Sequence, residues 1–493
     1  MLGVPAFVKQ GRSQEMTRSA DTSASTPVRG DDPSTSPSPL RGGNAITSRP
    51  ARGDELELTI DSLAYGGAGV ARLDGYVVFV QGAVPGDRVR ALVTKRKRAY
   101  AEARAVEILA PGSDRVAPVA EHPGAPWQVL AYERQLEVKQ AQVDDALTRI
   151  GQLRGYELEP IVPAVQRWRY RNKLEYSFGA DRAGRLVCGF HAPGRWDQVV
   201  EIGDCLLASQ AAGAARDRIV DWCRERGLTA LHRRTGEGLL RNLVVREGRR
   251  TGQLQLRLVT SRDELDRAAL VGAAIGVDGL LLTHTDALAE TTQGGITELL
   301  AGADRLEEQI GGLRLQISSQ AFFQTNTEMA EQLYGLAIEY AELTGLERVY
   351  DLFCGIGTIG LLMAPRAGQV WGLELLAEAV ADAITNARAN EIDNARFFAG
   401  DVRLALRELV DTAGRPDVLV VDPPRAGLSA KVVRRVIEAA PKRVVYVSCN
   451  PTTLAPNAAT FVEHGGYELV RVRPVDMFPQ TPHIECVAEL VRR

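Results

Sequence analysis

The rhythm of apolar and polar residues along this chain changes three times. Up to about residue 52 there is no rhythm: stretches such as SASTPVRGDDPSTSPSPLRGG hold too few large apolar residues to offset ordering entropy by burial, and residues 1–52 read as a flexible tail. From Glu55 short runs alternate with period two, in LELTI, GYVVFV and DRVRALVTKRKRAYAEARAVEIL, broken by turns at Tyr65-Gly66-Gly67-Ala68-Gly69 and Pro85-Gly86-Asp87. This pattern predicts a small five-stranded, OB-like β-barrel over residues 53–112. Residues 113–315 mix a helical stretch, Tyr132 to Ile150, with strand-like runs at Leu174 to Phe178, Leu239 to Val245 and Gln253 to Val259, an α+β pattern. Over residues 316–493 the order becomes strand, glycine turn, helix, strand, helix, which predicts a Rossmann-like α/β domain with a doubly wound parallel sheet and its ligands at the carboxyl ends of the strands.

Composition narrows the class without choosing a function. The chain has 493 residues, 45% hydrophobic and 25% charged, which excludes a wholly disordered or fibrous chain. No apolar run approaches the roughly 18 residues of a bilayer span, so no membrane partner is expected. Met1 to Gln10 lack an apolar stretch of signal-peptide length, so a cytoplasmic, monomeric protein is expected. Six cysteines occur singly, with no C-x-x-C pair, and are expected as free thiols. Lys and Arg number 59 against 62 Asp and Glu, a net charge of -3, so any nucleic-acid surface has to be a local patch.

Two such patches stand out. Lys95, Arg96, Lys97 and Arg98, followed by Tyr100, would set four cations and a ring beside a phosphate backbone; the plainer alternative is a solvated hairpin tip. With its glycine turn, VPGD turn and following basic strand, this segment resembles the TRAM domain, an RNA-binding barrel found beside RNA-modifying enzymes. In Arg167-Trp168-Arg169-Tyr170-Arg171-Asn172-Lys173 cations alternate with rings that could stack on splayed bases, making Arg169, Arg171 and Lys173 candidate RNA contacts. A strand whose rings face a core fits those residues equally well.

The last domain carries the chemistry. Gly355, Gly357 and Gly360 spell G-x-G-x-x-G after the strand-like Val349 to Phe353, and Glu374 follows at the spacing of a ribose-binding acid. Dinucleotide and S-adenosylmethionine sites share that signal. Asp351 favours the second, because a carboxylate in the turn repels a pyrophosphate but suits a cationic ligand. Asp401, after a third strand, could meet the adenine or simply cap a helix. A fourth strand ends in Asp422-Pro423-Pro424-Arg425, where enzymes acting on exocyclic amines usually carry an aromatic residue, which makes an amine target less suited. Finally Val444 to Ser448 delivers Cys449 to the carboxyl end of a buried strand, and Asn450-Pro451 ends the strand there, exposing the thiol to the crevice.

DLFCGIGTIG, VDPPRAGL, VYVSCNPTTLAPN and DMFPQTPHIECVAEL, in that order and with Gln320 to Asn326 upstream, resemble the uridine-5 RNA methyltransferases that make 5-methyluridine in tRNA or ribosomal RNA. The resemblance spans roughly residues 53–493 and implies a class I methyltransferase domain, a central RNA-binding domain, S-adenosylmethionine as cofactor and a structured RNA (rRNA or tRNA) as partner. Carbon 5 of uracil is too weak a nucleophile to take a methyl group directly, so a thiolate, here Cys449, first adds at carbon 6. Glu485 matches the general base that later removes the carbon 5 proton, although a strand-end carboxylate facing water is its alternative. Gln324, Phe353, Glu374, Asp401 and Asp422 match the residues around the cofactor and crevice. The target base has to leave its stack to reach Cys449. Many relatives hold an iron-sulfur cluster on four cysteines after the barrel; residues 113–150 contain no cysteine and read His122-Pro123-Gly124-Ala125-Pro126-Trp127 there, so no cluster and no metal are expected. A cytosine-5 methyltransferase, a non-catalytic RNA-binding protein on the same scaffold and an NAD dehydrogenase are the competing readings. The Glu485 carboxylate and the SCNP context fit uridine better than cytosine, the complete Cys449, Asp422 and Glu485 set argues against the non-catalytic reading, and equilibrium binding of S-adenosylmethionine against NAD separates the third.

Overall fold

The computed structural model describes residues 49–262, 264–287 and 291–493, so the expected tail up to Ser48 lies outside the described residues. The fold below is that of the unit Pro50–Arg493.

Six strands form the N-terminal sheet: β1 (Glu55–Thr59), β2 (Ser62–Leu63), β3 (Gly69–Leu73), β4 (Tyr76–Gln81), β5 (Arg88–Arg96) and β6 (Tyr100–Ala110), in the order β1-β5-β6-β4-β3-β2. The alternation read from the sequence is the cause: inward residues such as Val78, Val80, Val89, Ala91 and Val93 are buried in one cluster while their neighbours face out. Six strands form where five were expected, and the sheet does not close. β1 and β2 stand at opposite edges with no ladder between them, and the ends are joined only through the chain, because both are halves of one segment bent at Ile60-Asp61.

A helix, α1 (Tyr132–Asp145), and a two-residue strand, β7 (Glu157–Leu158), come next. The central sheet follows, made of β8 (Lys173–Ala180), β9 (Leu186–Ala192), β10 (Arg195–Glu201), β11 (Leu240–Glu247), β12 (Leu254–Thr260), β13 (Gly279–His284) and β14 (Ile296–Gly302), ordered β10-β9-β8-β11-β12-β13-β14. One face of it is apolar and packs α2 (Gln210–Glu225) and α3 (Arg267–Ala273) through Ile219, Leu243, Leu256 and Leu270. A separate hairpin, β15 (Arg305–Ile310) and β16 (Leu313–Ser318), packs with α4 (Thr327–Ala341) into the next core.

The last sheet holds β17 (Arg348–Leu352), β18 (Gln369–Glu374), β19 (Ala395–Ala399), β20 (Val418–Val421), β21 (Arg443–Ser448), β22 (Tyr467–Val475) and β23 (Glu485–Arg492), with β7 as an eighth strand. Its order is β19-β18-β17-β20-β21-β23-β22-β7; the first five run parallel and β23 enters antiparallel beside β21. β17, β20 and β21 are apolar on both faces because helices cover both: α4, α5 (Thr358–Met363) and α6 (Ala377–Ala389) on one, α7 (Val402–Ala413), α8 (Ala430–Ala439) and α9 (Pro451–Gly465) on the other. α1 also joins this core, through Val143 and the following Ala146 and Leu147. Among the described residues no helix is long and apolar enough to cross a membrane.

Candidate active site

The strand ends carry the chemistry. β17 runs into a turn where Phe353, Gly355 and Gly357 all take positive φ, +64°, +53° and +84°. Phe353 is the strained member, since a side chain disfavours that region, and such strain gathers at ligand sites. Gly357 has two reasons to be glycine: its φ, and a Cβ that would sit 2.9 Å from the Phe397 ring. Glu374, at the end of β18, accepts from the Gly355 N–H (3.2 Å) and the Leu376 N–H (3.0 Å), so its carboxylate lies against the turn.

Asp351 is fully buried at the end of β17; one oxygen accepts from Gly360 N–H at 2.8 Å and the other has no partner. Burial, with Asp422 and Glu374 nearby, pushes its carboxyl up to about 7. Asp422, half-buried at the end of β20, is pushed up to about 7 by burial. Among the described residues no cation contributes to either shift. A crevice lined by under-compensated carboxylates fits a cationic ligand and disfavours a pyrophosphate.

Cys449 follows β21 directly. Asn450 caps α9 by accepting from the Thr452 N–H at 3.0 Å, Pro451 opens the helix, and the strand ends at the thiol. The same Asn450 donates to the Arg425 carbonyl at 3.0 Å, tying the Asp422-Pro423-Pro424-Arg425 loop to the cysteine turn. β21 pairs β23 with Ser448 opposite Cys486, and one more step of that register sets Cys449 across from Glu485. Glu485 is 3% exposed and its Oε2 has no partner, so the water-facing alternative is wrong. Burial and then Asp422 raise its pKa well above the usual range, while Arg425 pulls it down. Burial, Glu485 and Asp422 push the Cys449 thiol up to about 12, again against Arg425. All six cysteines are free, and Cys449 is the one that is not buried.

Several other residues converge here that sequence patterns did not mark. Tyr334 of α4 is buried near Asp422, Glu485 and Asp351, beside the Gln324 side chain. Gln324 is itself buried, its carbonyl accepting from Asn172 at 2.8 Å. The loop that leads to Glu485 is held from outside its own sheet: Lys139 and Tyr132 of α1 bond the buried Asp476 at 2.5 and 2.8 Å, Tyr170 donates to the Pro479 carbonyl, and Asn326 to that of Met477. His483 in that loop is pushed down to about 4 by burial and by Arg425, Arg171 and Lys139. These contacts join residues more than 130 positions apart, which no local pattern records.

The outlying candidates fare differently. Asp401 caps α7 through the Arg403 N–H at 2.9 Å and pairs with the Arg403 guanidinium. Lys95 to Arg98 form the exposed tip between β5 and β6, with Lys95 paired to Glu102 at 3.1 Å. Tyr100, expected as a free stacking ring, packs edge-on against Phe79 with centroids 5.4 Å apart. Arg167 to Asn172 form a loop, in which Tyr170 is fully buried and unavailable to a base. Arg169 pairs with Asp204 at 2.6 Å, Arg171 lies over the Phe478 ring at 5.4 Å, and Lys173 pairs with Glu175 at 2.5 Å. Where cluster cysteines would lie, Trp127 is buried and His122 Nε2 stands 3.4 Å from Cys205 Sγ; among the described residues no group of three or more His, Cys, Asp or Glu is poised for a metal.

The parallel sheet with its inserted antiparallel strand, the glycine turn and the carboxylate-lined crevice define a class I methyltransferase. Residues 303–493 match the tRNA (uracil-5-)-methyltransferase family and residues 50–106 the TRAM domain. The chain is 38% identical to an uncharacterized RNA methyltransferase of Porphyromonas gingivalis over 463 residues, covering 88% of this chain and 99% of the relative. It is 36% identical to another from Halalkalibacterium halodurans, over 89% of this chain and 97% of that one. The crystal structure of Pyrococcus abyssi tRNA (uracil-54, C5)-methyltransferase in complex with S-adenosyl-L-homocysteine is similar at a TM-score of 0.73 and 28% identity, over 88% of this chain and 99% of that one. The chain belongs to the tRNA (uracil-5-)methyltransferase family of S-adenosylmethionine-dependent RNA methyltransferases.

Proposed function

We propose that the protein methylates carbon 5 of a specific uridine in tRNA or ribosomal RNA through a covalent Cys449 adduct. The observation that supports this is the position of Cys449 directly after β21, with Glu485 and Asp422 as the acids that act on its thiol. Bound in the crevice, S-adenosylmethionine supplies the methyl group. Asp351, Glu374 and Asp422, with Gln324 and Phe353, are the residues that would hold it; Asp401 remains the candidate at its adenine end. Cys449 adds as its thiolate, its proton having passed to solvent, so that Sγ bonds carbon 6 of the flipped uracil and the electrons of the 5,6 double bond move onto the carbon 4 carbonyl oxygen. With those electrons carbon 5 takes the methyl group, leaving S-adenosylhomocysteine; Glu485 then takes the carbon 5 proton, and the electrons of that carbon–hydrogen bond re-form the 5,6 double bond as the carbon–sulfur bond breaks and frees the thiolate.

In the free protein burial raises the pKa of both Cys449 and Glu485, favouring their neutral forms. A cation against Asp422 would offset part of the repulsion acting on both, so a loaded crevice favours their ionisation. Cytosine is less suited, because the Glu485 carboxylate and the Ser448-Cys449-Asn450-Pro451 context fit uridine better. For the RNA, the tip Lys95 to Arg98 offers cations open to phosphates; Arg169, paired with Asp204, contributes with Arg171 and Lys173 through the loop and sheet they brace.

The test is a covalent trap. With RNA carrying 5-fluorouridine at the target, Glu485 meets fluorine where it needs a proton, so the protein stays attached through a denaturing gel. Cys449→Ala gives no adduct and no turnover, whereas Cys354→Ala keeps both. Methylation by Cys449→Ala overturns the covalent reading.

A further inference from the structure

Tyr65 lies on the glycine turn of the N-terminal sheet, 384 positions from Cys449, yet its hydroxyl points at the Cys449 carbonyl oxygen at 3.5 Å. Its half-buried ring packs on the catalytic core that contains Tyr446, Ile484 and Cys486. The Arg425 guanidinium is a near neighbour of the phenol oxygen. The turn is firmly seated. A Cβ on Gly67, at φ +92°, would lie 3.0 Å from both Pro482 Cβ and Trp127 Nε1, and Gln142 donates to the Leu63 carbonyl at 3.1 Å.

The charges that face the thiol are Glu485, Asp422 and Arg425. Two are acids, and Arg425 is the cation among the three. Its main chain is fixed by Asn450, but its side chain is exposed and long, so its placement near the sulfur needs a partner. Tyr65, whose hydroxyl already reaches the carbonyl of the nucleophile's own residue, is the neighbouring group able to accept from that guanidinium.

We propose that Tyr65 is a positioning residue of the nucleophile, bridging Arg425 and the Cys449 main chain so that this cation stays beside the thiol. The N-terminal module then contributes a wall of the active site in addition to any grip on RNA. This inference rests on the covalent reading above, and its failure can be told from failure of that reading.

Tyr65→Phe keeps the ring and removes the bridge. In single-turnover trapping with 5-fluorouridine RNA, adduct formation at neutral pH should slow by about threefold to tenfold, the size of one modest hydrogen bond. The pH profile of trapping should move to higher pH, since a thiol with a less constrained cation ionises later, while the RNA dissociation constant stays within about twofold. In an Arg425→Gln background Tyr65→Phe should add no further loss, because it acts through Arg425. Tyr65→His, which keeps a donor and an acceptor, should recover part of the rate, and carries the same comparison should the Phe variant fold poorly. An unchanged rate and profile, a loss confined to RNA affinity, or additive losses with Arg425→Gln each overturn the proposal while trapping by the parent protein leaves the covalent reading standing. Trapping that survives Cys449→Ala overturns both.

Discussion

At the scale of single residues the site is a set of carboxylates kept from ionising. Asp351 and Asp422 are both pushed up to about 7, against an ordinary aspartate near 4. A carboxyl whose pKa is higher in the folded chain binds more protons there than in the unfolded chain between those two values. Stability from this pair is therefore present at low pH, falls as pH rises from about 4 to about 7, and is flat above. Affinity for a cationic ligand runs the other way, growing as the pair ionises. Calorimetric titration of S-adenosylmethionine from pH 6 to pH 8 should show affinity rising, and Asp351→Asn should flatten the rise. An affinity that does not change over that range, with the variant binding as the parent does, would remove the carboxylates from the cofactor's cation. Cys449, Asp422 and Glu374 were legible beforehand because each ends an apolar run with a turn signal directly behind it. Tyr334 and Tyr65 were not, since a tyrosine in a helix or a glycine turn looks the same whether its hydroxyl meets water or a catalytic crevice.

Elements reach the site from three sheets. α1 was legible as a helix from its periodicity, but not its destination. Lys139 and Gln135, which a pattern scores as solvent-facing, are fully buried against the Asp476 to Gln480 loop. Gln135 closes that contact twice, accepting from the Gln480 N–H at 3.0 Å and donating to the Gln480 side chain at 2.8 Å. β7 escaped for a related reason: two residues, Glu157–Leu158, carry no alternation to detect, and only the open edge of β22 makes them a strand. The Lys139 to Asp476 pair is dry on both sides, so removing one partner strands the other charge. Lys139→Met should cost about 3 to 5 kcal/mol in denaturant unfolding. Lys139→Met with Asp476→Asn should recover most of it, and equal losses in the single and double variants would mean the pair does not hold the loop.

For the whole molecule the question is how a chain of net charge -3 holds a polyanion. Bulk charge gives no attraction, so the positive field has to come from where cations are unpaired. At the β5–β6 tip all four cations are exposed and one, Lys95, has an acidic partner, Glu102. In the Arg167 to Lys173 stretch, by contrast, folding engages Arg167 with Glu133, Arg169 with Asp204 and Lys173 with Glu175. The two runs looked alike in sequence because two of these pairings, Arg167 with Glu133 and Arg169 with Asp204, join residues 34 and 35 positions apart. Neutralising Lys95, Arg96, Lys97 and Arg98 to glutamine should weaken RNA binding uniformly across sequences. It should also reduce the slope of log affinity against log salt by about 0.7 to 0.9 for each phosphate that is no longer neutralised. Neutralising Arg167 and Lys173 should leave that slope close to the parent's, since their charges are already balanced within the fold. Binding measured at four or five salt concentrations separates the two, and a slope unchanged by loss of the tip cations returns that hairpin to the role of a solvated turn.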